Sequence, residues 1–173
     1  QQSASGEFKR KLNDPLGDFD NLGATDRKGV DLQLGWTPLQ QLSLWGAVAW
    51  QQAEIETPDP ATPALAGKDI DHIPQWLYNA GVDYRVNQQL SFSAAVRAQS
   101  SYELTTSNDK GRFGDFLLLD LQASYQLNEQ TEFSAQIQNL TDQYYEYVWW
   151  DGSQTLHSPG ESRALNVSVH LRY

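Results

Sequence analysis

Asp69, Asp71 and His72 stand within four residues of one another, and two carboxylates with an imidazole are donors that a metal ion accepts. In a polar loop such side chains are ordinarily solvated, so no metal site is assigned to them. His157 and His170 are single histidines, and a lone imidazole ordinarily serves as a hydrogen-bonding group. A denser grouping is Tyr144, Tyr145, Tyr147, Trp149 and Trp150, five rings within seven residues. Rings in that number bind flat or apolar ligands by stacking and burial, which makes these five the candidate ligand-binding residues. Their ordinary alternative is packing, as a ring belt at headgroup depth or as the filling of a loop. The sequence holds no catalytic constellation. No Gly-rich phosphate loop follows a strand, no Gly-x-Ser-x-Gly elbow is present, and acidic loops do not fix the carboxylate spacing that hydrolysis needs. Cysteine is absent, which removes disulfides, thiolate metal sites and cysteine nucleophiles. No cofactor is expected.

The elements that must carry these residues are strands. No run of about eighteen apolar residues exists, so no transmembrane helix is expected. A net charge of −10 argues against a nucleic-acid partner, because phosphate binding wants a basic face. Period-two alternation predicts seven strands, beginning near Val30, Leu42, Trp76, Leu90, Leu117, Phe133 and Leu165. On one face of these segments 33 of 35 positions are apolar, against 6 of 28 on the other. A helix cannot produce that split. The fold class is all-β and antiparallel.

Connections alternate between short ones at 37–41, 87–89 and 128–130 and long ones at 51–72, 99–115 and 140–161. Short turns on one rim and long loops on the other characterise outer-membrane barrels. Aromatics of the apolar faces gather near strand ends: Trp36, Tyr84, Tyr125 and Tyr173 toward the short turns, Trp50, Trp76 and Tyr78 toward the long loops. Such belts suit headgroup depth, where the ring is buried and its polar atom stays wet. The apolar face is therefore expected to meet lipid and the polar face a wet lumen. A soluble barrel with its apolar face inward is the competing reading. Seven strands ending on the short-turn side begin on the long-loop side, whereas single-chain bacterial barrels have an even count. Residues 1–26 are accordingly expected to be mostly an extracellular loop following a missing strand, and residues 27–173 the C-terminal barrel strands.

The run Asn139-Leu140-Thr141-Asp142-Gln143-Tyr144-Tyr145 resembles a segment that precedes the last long loop in TonB-dependent outer-membrane receptors. The tail from Pro159-Gly160-Glu161-Ser162-Arg163 to Tyr173 resembles the closing strand of that family, and Arg27-Lys28-Gly29-Val30-Asp31-Leu32 is similar to one of its strand entries. The order and spacing of these motifs span nearly the whole chain. The resemblance implies a 22-stranded transmembrane barrel in the bacterial outer membrane, an N-terminal plug absent from this chain, and engagement of TonB through that plug. It implies active uptake of a scarce bulky nutrient, by default a ferric siderophore, and no enzymatic activity. It also implies that Tyr173 is read as a signal by the barrel-assembly machinery, and the acidic loops are compatible with lipopolysaccharide at the outer leaflet. A passive porin-like channel has the same strand grammar and is the alternative, with a soluble all-β binding protein behind it.

Overall fold

The computed structural model describes residues 1–10 and 19–172. Its strands are β1 (Gln2–Arg10), β2 (Phe19–Leu39), β3 (Leu42–Thr57), β4 (Trp76–Arg85), β5 (Leu90–Gln99), β6 (Tyr102–Glu103), β7 (Arg112–Phe113), β8 (Phe116–Asn128), β9 (Thr131–Gln138), β10 (Glu146–Trp150), β11 (Thr155–Pro159) and β12 (Ala164–Leu171). Helix is confined, among the described residues, to one 3-10 turn at Pro63–Leu65. Eight strands form an antiparallel sheet in the order β1-β2-β3-β4-β5-β8-β9-β12, while β6 with β7 and β10 with β11 are separate small hairpins. The seven alternating segments are β2, β3, β4, β5, β8, β9 and β12, and the additional strand of the sheet is β1.

Register brings the seven apolar faces onto one side. Leu32 faces Val48, Val48 faces Tyr78, Tyr78 faces Ala98 and Ala98 faces Leu117. Farther along, Tyr125 faces Phe133 and Phe133 faces Val169. Directly opposed residues share a face, so a slip of one residue anywhere in the alternating segments would have mixed the sides. None occurs. This apolar side is left uncovered: Leu34 is 68% exposed and Val167 69%. A soluble barrel would bury it, since apolar area costs about 25 cal/mol per Å² in water. The aromatic clusters also fall at strand ends. Trp50 pairs with Trp76, whose ring stacks on Tyr78 at 5.8 Å, while Tyr84, Phe92, Tyr125 and Phe133 lie toward the short turns.

The buried core sits at the long-loop end and not under the sheet. Leu22, Ala53, Ile55 and Ile70 pack together there, flanked by Leu65 and Ile73. Tyr102, Leu104, Leu118 and Val148 are also buried. Residues 1–26, expected mostly as loop, differ from that expectation in local structure: 2–10 and 19–26 are strand. Register shifts around Glu7 and positive-φ glycines at Gly6 and Gly23 break the alternation that would have revealed them. β1 pairs with β2 only as far as Arg27, so the two form an arm beyond the main sheet on the long-loop side. β2 has 21 residues, about twice what crosses a bilayer. Tyr173 lies outside the described residues.

Candidate ligand site at the long-loop end

The last long connection is tied shut before it begins. Asn139 ends β9 in the left-handed region, φ 48°, a conformation that asparagine tolerates better than most side chains. Its buried amide donates to the carbonyls of Gln143 (2.9 Å) and Glu161 (3.1 Å), and its side-chain oxygen accepts from the Gln143 N–H at 3.0 Å. Asp120 on β8 accepts the Asn139 N–H at 2.9 Å, and Asp142 accepts the Arg163 N–H at 2.9 Å. Gly160 lies directly beneath the Tyr145 ring, where a Cβ would collide with it. That ring also packs on Phe116 at 5.1 Å, and its hydroxyl accepts the Glu161 N–H. Loop entry and exit are thus held together by the residues of the two motifs.

What emerges is the β10–β11 hairpin, whose faces do different work. Val148, on one face, is buried and both donates to and accepts from the Tyr102 hydroxyl through its backbone, at 3.4 and 3.2 Å. On the same face Phe113 meets His157 edge-on at 6.4 Å, and the Lys110 ammonium lies 4.9 Å from the Trp150 ring. On the other face Tyr147 and Trp149 are 49% and 37% exposed. Tyr145 meets Tyr147 at 6.0 Å. Phe116 belongs to the polar face of β8, so the row Phe116, Tyr145, Tyr147 extends that face outward from the sheet. The five aromatics therefore divide. Tyr145 and Trp150 are built into packing, and Tyr144, Tyr147 and Trp149 present ring surface to solvent.

The acidic group of the 58–75 connection is also built in. Asp71 is buried and bound by Lys9 of β1, by His72 Nδ1 at 2.8 Å and by the Thr106 hydroxyl at 2.8 Å. Burial pushes its carboxyl up, but the bonds from His72, Lys9 and Thr106 outweigh burial and hold it well below the usual carboxylate range. Asp69 lies 3.8 Å from Arg112, and Asn108 brackets its backbone. The imidazole of His72 meets the Tyr102 ring at 5.3 Å. Asp71 thus joins the β1–β2 arm to the loop before β4 and, through Thr106, to the loop carrying β6 and β7. Among the described residues no three His, Cys, Asp or Glu side chains converge as a metal set. Where the arm leaves the sheet, an open cleft of about 460 Å³ is lined by Arg27, Asp31, Gln51, His72 and Pro74, among others. Lys9, Tyr102, Thr106 and Lys110 were not marked by any spacing in the sequence. Only pairing over 35 to 97 residues gives them roles.

Residues 6–140 match the family model described as TonB dependent receptor-like, beta-barrel. No curated protein matches the chain. Among solved structures, the siderophore receptor PiuA from Acinetobacter baumannii aligns over 95% of this chain and 24% of its own, with TM-score 0.78 at 18% identity. The ferric yersiniabactin uptake receptor FyuA from Yersinia pestis aligns over 89% and 24%, with TM-score 0.76 at 20% identity. The copper transporter OprC aligns over 99% and 27%, with TM-score 0.74 at 13% identity. The chain spans about a quarter of the length of these structures. Identities this low carry the fold, and two different kinds of cargo among the three show that the fold alone does not choose one.

Proposed function

The chain belongs to the TonB-dependent receptor β-barrel family, and from that premise we propose that it is the C-terminal portion of an outer-membrane receptor that imports a ferric siderophore with energy delivered by TonB. Its place is the bacterial outer membrane. The observation that carries the reading is the single uncovered apolar side shared by seven strands in register, with the polar side continuing into exposed rings at the long-loop end. In this arrangement residues 27–173 supply the barrel strands, and the arm in which β1 pairs with the start of β2 stands on the extracellular side beside lipopolysaccharide. Tyr147 and Trp149, with Tyr144, offer the stacking surface for the chelate, and Tyr145 and Trp150 hold that surface in place. TonB acts through a plug outside this chain, and Tyr173 serves barrel assembly. Transport requires binding and release, not bond-making, and the aromatic row provides binding without any nucleophile or acid–base pair.

The test is uptake of radiolabelled ferric siderophores by a receptor-deficient bacterial host carrying the full-length receptor. Import that needs both the receptor and an intact TonB supports the proposal. Import that persists without TonB returns the passive-channel reading.

A further inference from the structure

The hairpin that carries the exposed rings is charged on one face only. Tyr147 pairs with Ser158 and Trp149 with Leu156, so the open face holds two aromatic rings, an aliphatic side chain and a hydroxyl. Glu146 and His157 fall on the packed face, where His157 Nδ1 lies 3.0 Å from the Glu146 carboxylate. We propose that the chelate taken by this surface is uncharged or positively charged, of the ferric tris-hydroxamate kind, and that anionic catecholate and carboxylate chelates are turned away. The inference rests on the open rings being the ligand contact, and it adds the ligand's charge to that reading.

Two independent observations set the sign. The first is that the open face offers an anion nothing to pair with. An anion brought against Tyr147 and Trp149 gives up water, while Lys110 lies on the Trp150 ring, Arg112 lies 2.9 Å from Glu103 and Arg163 lies 3.9 Å from Asp142. In the arm, Arg27 and Lys9 are likewise bound to Glu7 and Asp71. Aromatic faces carry negative charge density, so the rings themselves favour a cation or a neutral surface over an anion.

The second observation is the field around the hairpin. The connections 51–72, 99–115 and 140–161 hold twelve acidic residues against Lys68, Lys110 and Arg112, so they carry nine of the chain's ten net negative charges. The connection that forms the hairpin has Asp142, Glu146, Asp151 and Glu161 and no lysine or arginine. A wall of one sign lowers the local concentration of like-charged ligands and raises that of opposite ones. Charge separates the chelate classes cleanly. A ferric tris-hydroxamate has no net charge of its own, whereas a ferric tris-catecholate is a trianion.

The experiment measures binding of radio-iron chelates to the full-length receptor in a neutral detergent. The probes are the ferric complex of desferrioxamine B, which ends in a free ammonium, its N-acetyl and N-succinyl derivatives, and a ferric tris-catecholate. The first three share one iron centre and differ in charge. The ammonium and acetyl forms should bind. The succinyl form should bind roughly fivefold more weakly at low ionic strength, a gap that closes as salt is added, and the tris-catecholate should not compete. Ser158→Lys places a cation on the open face and should narrow or reverse the gap, with heat-modifiable gel mobility verifying that the variant is folded. Equal or tighter binding of the succinyl form, competition by the tris-catecholate, or an unchanged gap in Ser158→Lys overturns the proposal. Binding of none of the four overturns it together with the ring surface on which it rests. Charge-selective binding without TonB-dependent import in cells would count against the transport reading alone.

Discussion

Gly160 shows how little freedom a motif residue has when a ring rests on it. A methyl group there meets the Tyr145 ring, which is itself held by Phe116 and by the Glu161 N–H, so the ring must leave its stack. Gly160→Ala should cost about 1–3 kcal/mol, the usual penalty of overpacking. It should appear as faster proteolysis within residues 146–159 of the full-length receptor, with strand stability unchanged. Asp71 gives a prediction in pH. Its carboxyl is depressed in the folded chain, so its contribution is fully present above the unfolded value of about 3.9 and is lost as pH falls through the folded value. Hydrogen exchange at residues 70–72, corrected for intrinsic rate, should therefore be the same at pH 7 and pH 5. Asp71→Asn should accelerate it at both, by about 1–3 kcal/mol of local opening, because Lys9 loses its partner. Protection that falls away between pH 7 and 5 in the unaltered receptor would contradict this assignment. The sequence displayed Asn139, Asp142 and Gly160 as motif letters, but not that their work is to close a loop. It displayed Asp69, Asp71 and His72 as neighbours, but not that Lys9 and Thr106, 62 and 35 residues from Asp71, join His72 in binding that carboxylate. Spacing reports what side chains can do, and long-range pairing decides what they are doing.

At the scale of elements, legibility followed length. Segments of seven or more alternating residues declared themselves because a half-buried strand repeats every two residues, and all seven lie in the sheet. β6 and β7 have two residues each, too few for any period, and β10 and β11 are five-residue strands set in aromatic or polar sequence. Their pairing is set by what they pack against. Tyr102 is the clearest case, since its hydroxyl bridges the backbone of Val148 from 46 residues away. The two hairpins should consequently loosen together. Tyr102→Phe removes both bonds and leaves buried backbone groups without that partner, a loss of about 1–3 kcal/mol. The amide of Val148 should then exchange faster, together with those of β10 and β11, while β4, β5 and β8 keep their protection. Unchanged exchange at Val148 would mean that packing around the ring, and not the hydroxyl, couples the hairpins.

For the whole molecule the decisive property is which side of the sheet meets hydrocarbon. Register alone cannot say, because a lipid-facing sheet and a core-facing sheet alternate in the same way. The uncovered apolar side and the end-of-strand aromatics favour lipid, and the tryptophans provide a direct reading. Trp36, opposite Leu44, and Trp50 and Trp76, opposite each other, stand on the apolar side of β2, β3 and β4. Trp45 stands on the polar side, where it faces Gly81 and its ring lies over the space that a side chain at that position would fill. In vesicles made with brominated acyl chains, fluorescence from the first three should be quenched and that from Trp45 should not. Comparing single Trp→Phe variants of the full-length receptor isolates each contribution. Trp50→Phe and Trp76→Phe should lower the quenchable fraction, most strongly with bromine placed near the headgroups, because both sit toward the long-loop ends of their strands. Trp45→Phe should remove only signal that bromine cannot reach. If Trp45 is quenched and the other three are not, the sheet is inverted and the polar side is the one that lipid covers. Quenching of none would place both sides out of lipid and return the soluble reading, in which the apolar side is buried against protein.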